Sequence, residues 1–180
     1  MVDARLDEAV SFARAIVNKI RENMGTAQNL QESKALTLMY NTSTMLEDIA
    51  EMLERARCLA ADNVIKTGGG TVARFCATWQ LVETNGRLLL TRTKPATAIA
   101  YDGSKLVFRR GDVLLEATPG RVKVCRNKLC LEYDPTNKEQ VIPIIPELTY
   151  VLRHLMNATR KSREALIVCA KFNKPSCLAI

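Results

Sequence analysis

From Val72 to Tyr133 polar and apolar residues alternate, and turn chemistry interrupts them every few residues. That combination leaves few folds open. A strand buried on one face has period two, and links too short for a crossover force neighbouring strands to run antiparallel. Ala73, Phe75, Ala77, Trp79 and Leu81 alternate with Arg74, Cys76, Thr78 and Gln80. Turns follow at Asn85-Gly86, Pro95, Asp102-Gly103, Gly111-Asp112, Pro119-Gly120 and Asn127-Lys128. Asn-Gly and Asp-Gly are strong hairpin signals, because their central residues take positive φ. The pattern predicts a meander of seven strands over 73–83, 87–92, 96–101, 105–110, 113–117, 121–126 and 129–133.

The last hairpin fixes its own register. A two-residue turn at Asn127-Lys128 sets Cys125 opposite Cys130, Lys123 opposite Glu132 and Arg121 opposite Asp134 on one face. The other face then pairs Val124 with Leu131 and Val122 with Tyr133, as cross-strand energetics prefer. A slip of one residue sets Glu132 against Val122, which the alternation penalises. Cys125 and Cys130 become neighbours close enough to form a disulfide.

On either side of this module the period lengthens to that of a helix. Leu6, Val10, Ala13, Val17, Ile20 and Met24 share one face of a helix over 3–24, and Gly25 follows as its left-handed stop. Asn29 with Glu32 forms a capping-box pattern for a second helix running to Val64, with Leu38, Thr42, Met45, Ile49, Met52, Ala56 and Leu59 on its stripe. Thr44 with Glu47 repeats the capping pattern and offers a break into two helices. The two stripes suggest a helical hairpin with apolar surface left for assembly at Val10, Val17, Met45, Ile49 and Met52; alternatively, both pack on the rest of the chain. Pro143 and Pro146 precede a closing helix over 147–171, whose stripe is Leu148, Leu152, Leu155, Thr159, Ser162, Leu166 and Cys169.

The fold class is therefore α+β: an N-terminal helical hairpin, an antiparallel seven-strand meander and a C-terminal closing helix. Domain boundaries follow as a helical arm over 1–66, a glycine linker over 67–70 (Gly68, Gly69 and Gly70, with no Gly-Lys-Ser/Thr to make a P-loop), and the basic meander with its helix over 71–180. Over about 100 residues the order of elements resembles the pleckstrin-homology superfold, a likeness that carries no function with it.

Charge is the functional clue. The chain has a net charge of +7, and residues 85–128 alone carry that excess, with ten basic residues and three acidic ones. Residues 1–66 sum to −2. A basic module favours a polyanionic partner. With Arg121 and Lys123 discounted against Asp134 and Glu132, the candidate nucleic-acid-binding residues are Arg87, Arg92, Lys94, Lys105, Arg109, Arg110, Arg126 and Lys128, at strand ends and turns. Trp79 and Phe108 have the spacing of core residues, which leaves few aromatics for base stacking. The expected partner is thus the DNA or RNA backbone, met without sequence readout. The alternative is an adaptor or scaffold subunit whose charge faces an acidic protein.

No catalytic pattern competes. Gly-x-Ser-x-Gly, His-Glu-x-x-His and Gly-x-Gly-x-x-Gly are absent. The single histidine, His154, has no thiol set beside it by the sequence, and Glu47, Asp48, Glu51 and Glu54 read as the solvated face of a helix. The six cysteines include no Cys-x-x-Cys pair, so neither a metal site nor a cofactor is expected. The N-terminus carries acids early, unlike a secretory signal, and no apolar run approaches the roughly 18 residues of a membrane span. The expectation is a cytoplasmic, non-enzymatic protein with its cysteines as thiols, hyperthermophile cytosols being the exception. It would assemble as a homo-oligomer or with a protein partner through its N-terminal helices.

Overall fold

The computed structural model describes residues 2–26, 30–60, 64–67, 70–76, 79–136 and 148–173. Three helices and one antiparallel sheet share a single hydrophobic core. Helix α1 spans Val2–Glu22 and α2 spans Leu30–Ala60. Nine strands follow in sequence order: β1 Val64–Thr67, β2 Gly70–Cys76, β3 Trp79–Thr84, β4 Arg87–Thr93, β5 Ala96–Tyr101, β6 Leu106–Arg110, β7 Val113–Thr118, β8 Arg121–Arg126 and β9 Leu129–Tyr133. Each strand pairs only with its sequence neighbours, and α3, Leu148–Asn173, ends the described chain.

The meander is therefore longer than the seven strands expected. The alternation over 73–83 belongs to two strands, β2 and β3, paired antiparallel with Ala73 opposite Leu81. Residues 64–67, read as helix end and linker, form β1, which pairs Thr67 with Gly70 of β2. The linker assignment over 67–70 is accordingly corrected: both of its described residues belong to paired strands. A one-sheet meander of nine strands also departs from the seven-strand likeness drawn on element order.

The helices cover one face of the sheet. Helix α1 touches β4 and β7, α2 touches β2, and α3 touches both β2 and β8. Trp79, Leu81, Leu88, Leu90, Ile99, Phe108, Leu115, Val122, Val124 and Leu131 meet them from the strands. All five residues assigned to assembly are consumed here. Val10 is 7% exposed, Val17 1%, and Met45, Ile49 and Met52 are fully buried. The stripes meet the sheet and each other, because a sheet with one apolar face requires such a cover.

Local chemistry explains several element ends. Gly25 takes φ 62° just after α1, and Asn85 and Gly86 take φ 51° and 79° between β3 and β4. A side chain at Gly86 would also strike the Arg5 guanidinium, 2.6 Å from the place its Cβ would occupy. Helix α2 runs unbroken through Thr42, Ser43 and Thr44, whose hydroxyls donate back to helix carbonyls at Leu38 and Tyr40. That bonding replaces the second capping box suggested at Thr44. The cap expected at Asn29 and the prolines at 143 and 146 lie outside the described residues.

Candidate functional site

In a meander successive turns fall at alternating ends of the sheet. The β4–β5, β6–β7 and β8–β9 connections therefore share one end, and six of the eight candidate cations lie there: Arg92, Lys94, Arg109, Arg110, Arg126 and Lys128. Among the described residues of those strand ends and turns, Asp112 is the single carboxylate. Arg87 and Lys105 are not part of this cluster. They sit at the opposite end, beside a groove of ≈ 740 Å³ floored by Val82, Leu89, Ala100 and Val107 on the sheet face away from the helices. There Asp102, Glu132 and Asp134 offset the basic residues, and Arg121 pairs with Glu132.

That pair amends the discount applied to Arg121 and Lys123. The predicted β8–β9 register is the observed one, with Lys123 opposite Glu132 and Cys125 opposite Cys130. Glu132 nevertheless reaches diagonally to Arg121, while Asp134 accepts from the backbone and hydroxyl of Thr136. Lys123 lies between Glu116 and Glu132 in register.

The basic end has two layers. Trp79, Arg92, Thr97, Arg110, Val113, Arg126 and Leu129 form one rung across β3–β9, on the face turned to the helices. Arg92 stacks over Trp79, its Cζ 5.5 Å from the ring centroid. Arg110 donates to Ser162 Oγ of α3 at 2.9 Å. Burial first, and the Arg92 charge second, hold the Arg110 guanidinium below its ordinary pKa. Arg126 Nε donates to Asp112 Oδ2 at 3.4 Å, and Asp112 Oδ1 lies 3.1 Å from His154 Nε2. The hydrogen bond with His154, then that with Arg126, keeps the Asp112 carboxyl below the usual carboxylate range.

The outer layer, Lys94, Arg109 and Lys128 of the sheet, is exposed, whereas Arg153 of α3 lines a separate groove with Asn41, Thr44 and Asp48 of α2. Helix α3 is tied to this end by the His154–Asp112 and Ser162–Arg110 contacts. The apolar stripe of the closing helix carries no signal that places α3 at this end. Turn order was the signal that could have separated the six clustered cations from Arg87 and Lys105.

Two other assignments change. Glu47, Asp48, Glu51 and Glu54 are not a merely solvated face: Arg14 reaches Glu47 at 3.5 Å and Glu54 at 2.5 Å, while Arg163 reaches Asp48 at 3.6 Å and Glu51 at 3.2 Å. Asp48 is 9% exposed, and burial, opposed by Arg163 and Thr159, raises its pKa. Cys125, Cys130 and Cys169 are not the thiols expected. Cys125 and Cys130 form a disulfide across a pair whose Cα atoms are 4.1 Å apart, Cys169 is also disulfide-bonded, and no described cysteine is free.

Among the described residues no three His, Cys, Asp or Glu side chains are grouped to hold a metal ion, and no helix is long and apolar enough to cross a membrane. No family model, curated protein or solved structure matches the chain.

Proposed function

We propose that the protein binds nucleic acid through the phosphate backbone at the basic end of its sheet, without sequence readout and without catalysing a reaction. The observation that carries this reading is the gathering of six cations against one carboxylate at one end, while the other end is balanced. Lys94, Arg109 and Lys128 are free to reach phosphates from exposed positions. Trp79 is 1% exposed and offers no stacking platform, which fits contact with phosphates better than contact with bases. A cytoplasmic location belongs to the same proposal.

Retention on duplex and single-stranded nucleic acid at about 50 and 200 mM salt tests it, since backbone contacts weaken steeply over that range. Lys94→Glu, Arg109→Glu and Lys128→Glu together should weaken binding to all sequences alike and lower the log–log salt slope by roughly 0.9 per lost duplex contact. Arg87→Glu with Lys105→Glu, at the opposite end, should change little. No retention of the wild type at about 50 mM salt, where such contacts are strong, or equal effects from both sets, would hand the surface to an acidic protein partner.

A further inference from the structure

Behind the exposed cations, Arg92 and Arg110 present an arrangement that backbone contact alone does not call for. They flank Thr97 in one rung, so their Cα atoms are two strand spacings apart, about 10 Å. Neither forms an ion pair with any described carboxylate. Arg92 Nε is buried and has no hydrogen-bond partner, although its guanidinium is otherwise held against Trp79. Two cations kept together in a partly desolvated place, with a bondless N–H between sheet and helix, leave a desolvation cost uncompensated. An anion seated between them would supply the missing acceptor and charge.

We infer that Arg92 and Arg110 form a recessed binding site for a terminal phosphoryl group, such as a phosphomonoester or inorganic phosphate. The charge matches: a phosphomonoester carries about −1.5 to −2 near neutral pH, with three acceptor oxygens, against two guanidinium forks suited to phosphate. Arg110 already uses one donor on Ser162, whose hydroxyl donates to the Ala158 carbonyl, so the fork is held in place while its other N–H groups stay available. Thr97 and Ser162 are 4% and 0% exposed. A terminal phosphoryl reaches half-buried guanidinium groups more readily than an internal diester, which is flanked by sugars on both sides. The inference takes the phosphate-contacting reading of this end as its setting, and its test separates the two.

Trp79 is the single tryptophan and lies under Arg92, so its emission reports on the site. Inorganic phosphate titrated at fixed ionic strength against chloride should give a saturable change in that emission. Arg110→Gln should weaken the midpoint at least tenfold, a change of about 1.4 kcal/mol, with Arg87→Gln as an unaffected control. Arg92→Lys, followed by calorimetry, is the second variant should Arg110→Gln misfold by circular dichroism; it should also lose at least tenfold. An oligonucleotide with a 5′ or 3′ terminal phosphate should compete with phosphate at least tenfold better than its hydroxyl-ended counterpart. A linear or absent emission response in the wild type, or unchanged affinity in the folded variants, overturns the site. Saturable phosphate binding without retention on nucleic acid would sink the backbone reading and leave this site standing.

Discussion

Thr42 shows how much of a buried polar position depends on a distant partner. Its hydroxyl donates to the Leu38 carbonyl at 2.8 Å, so toward Tyr133, 91 residues away, it can act only as acceptor. The Tyr133 phenol must then be the donor, and burial pushes its pKa up. Thr42→Val should strand a buried O–H and cost about 1–3 kcal/mol, whereas Tyr133→Phe leaves Thr42 bonded within its helix and should cost nearer 0.5–1.5 kcal/mol. Urea melts of the two variants give the order, and a larger loss for Tyr133→Phe would reverse the donor assignment. The helical stripe put Thr42 on the buried face, but periodicity cannot name a partner on another element. Arginines differ in this respect. Arg92 stands two residues after Leu90 and Arg110 two after Phe108, so alternation already placed both on the covered face. Grouping all eight cations by their place at strand ends and turns ignores that parity.

Turns carried most of the fold's legibility. Six of the seven expected strands match observed ones to within one residue at each end, because Gly, Asn and Pro marked their limits. The first expected strand failed where that chemistry is missing. Cys76 ends β2 and Trp79 begins β3, and the intervening Ala77 and Thr78 carry no turn signal. Strand β1 was overlooked for the related reason that Val64 to Thr67 directly follows a helical pattern. The β5–β6 turn offers a test at this scale. Asp102 Oδ1 accepts from Ser104 N, Ser104 Oγ and Lys105 N, each at 2.9 Å, and the Ser104 bonds chiefly hold the carboxyl below its ordinary pKa. A depressed folded-state pKa means stability that is present above the unfolded value of about 3.9 and is lost as pH falls through the folded value. Asp102→Ala should therefore be less stable than wild type at neutral pH, with the gap closing toward about pH 2. A gap of equal size at both pH values would show that the carboxylate charge is not its source.

At the scale of the molecule, the disulfides and the proposed partner constrain each other. Cys125–Cys130 closes a loop of sequence separation five, which limits what it can contribute through the unfolded chain; a second disulfide involves Cys169. Disulfides persist in oxidising compartments and are rare in ordinary cytosols, yet a protein that contacts nucleic acid belongs where nucleic acid is. The two requirements meet in the intracellular proteins of hyperthermophiles, which are disulfide-rich. Other features of the fold fit heat: every described apolar helix stripe is sealed into one core with the sheet, and Arg14 and Arg163 each hold two carboxylates across helices, a network arrangement that gains value as temperature rises. The expected unfolding midpoint is therefore above about 90 °C by calorimetry. Cys125→Ser with Cys130→Ser should remain folded and lower it only modestly, because the closed loop is short. A midpoint in the mesophile range of about 45–65 °C would instead assign the disulfides to an oxidising compartment, where a nucleic-acid backbone is not the natural partner, and the basic end would then be better explained by an acidic protein.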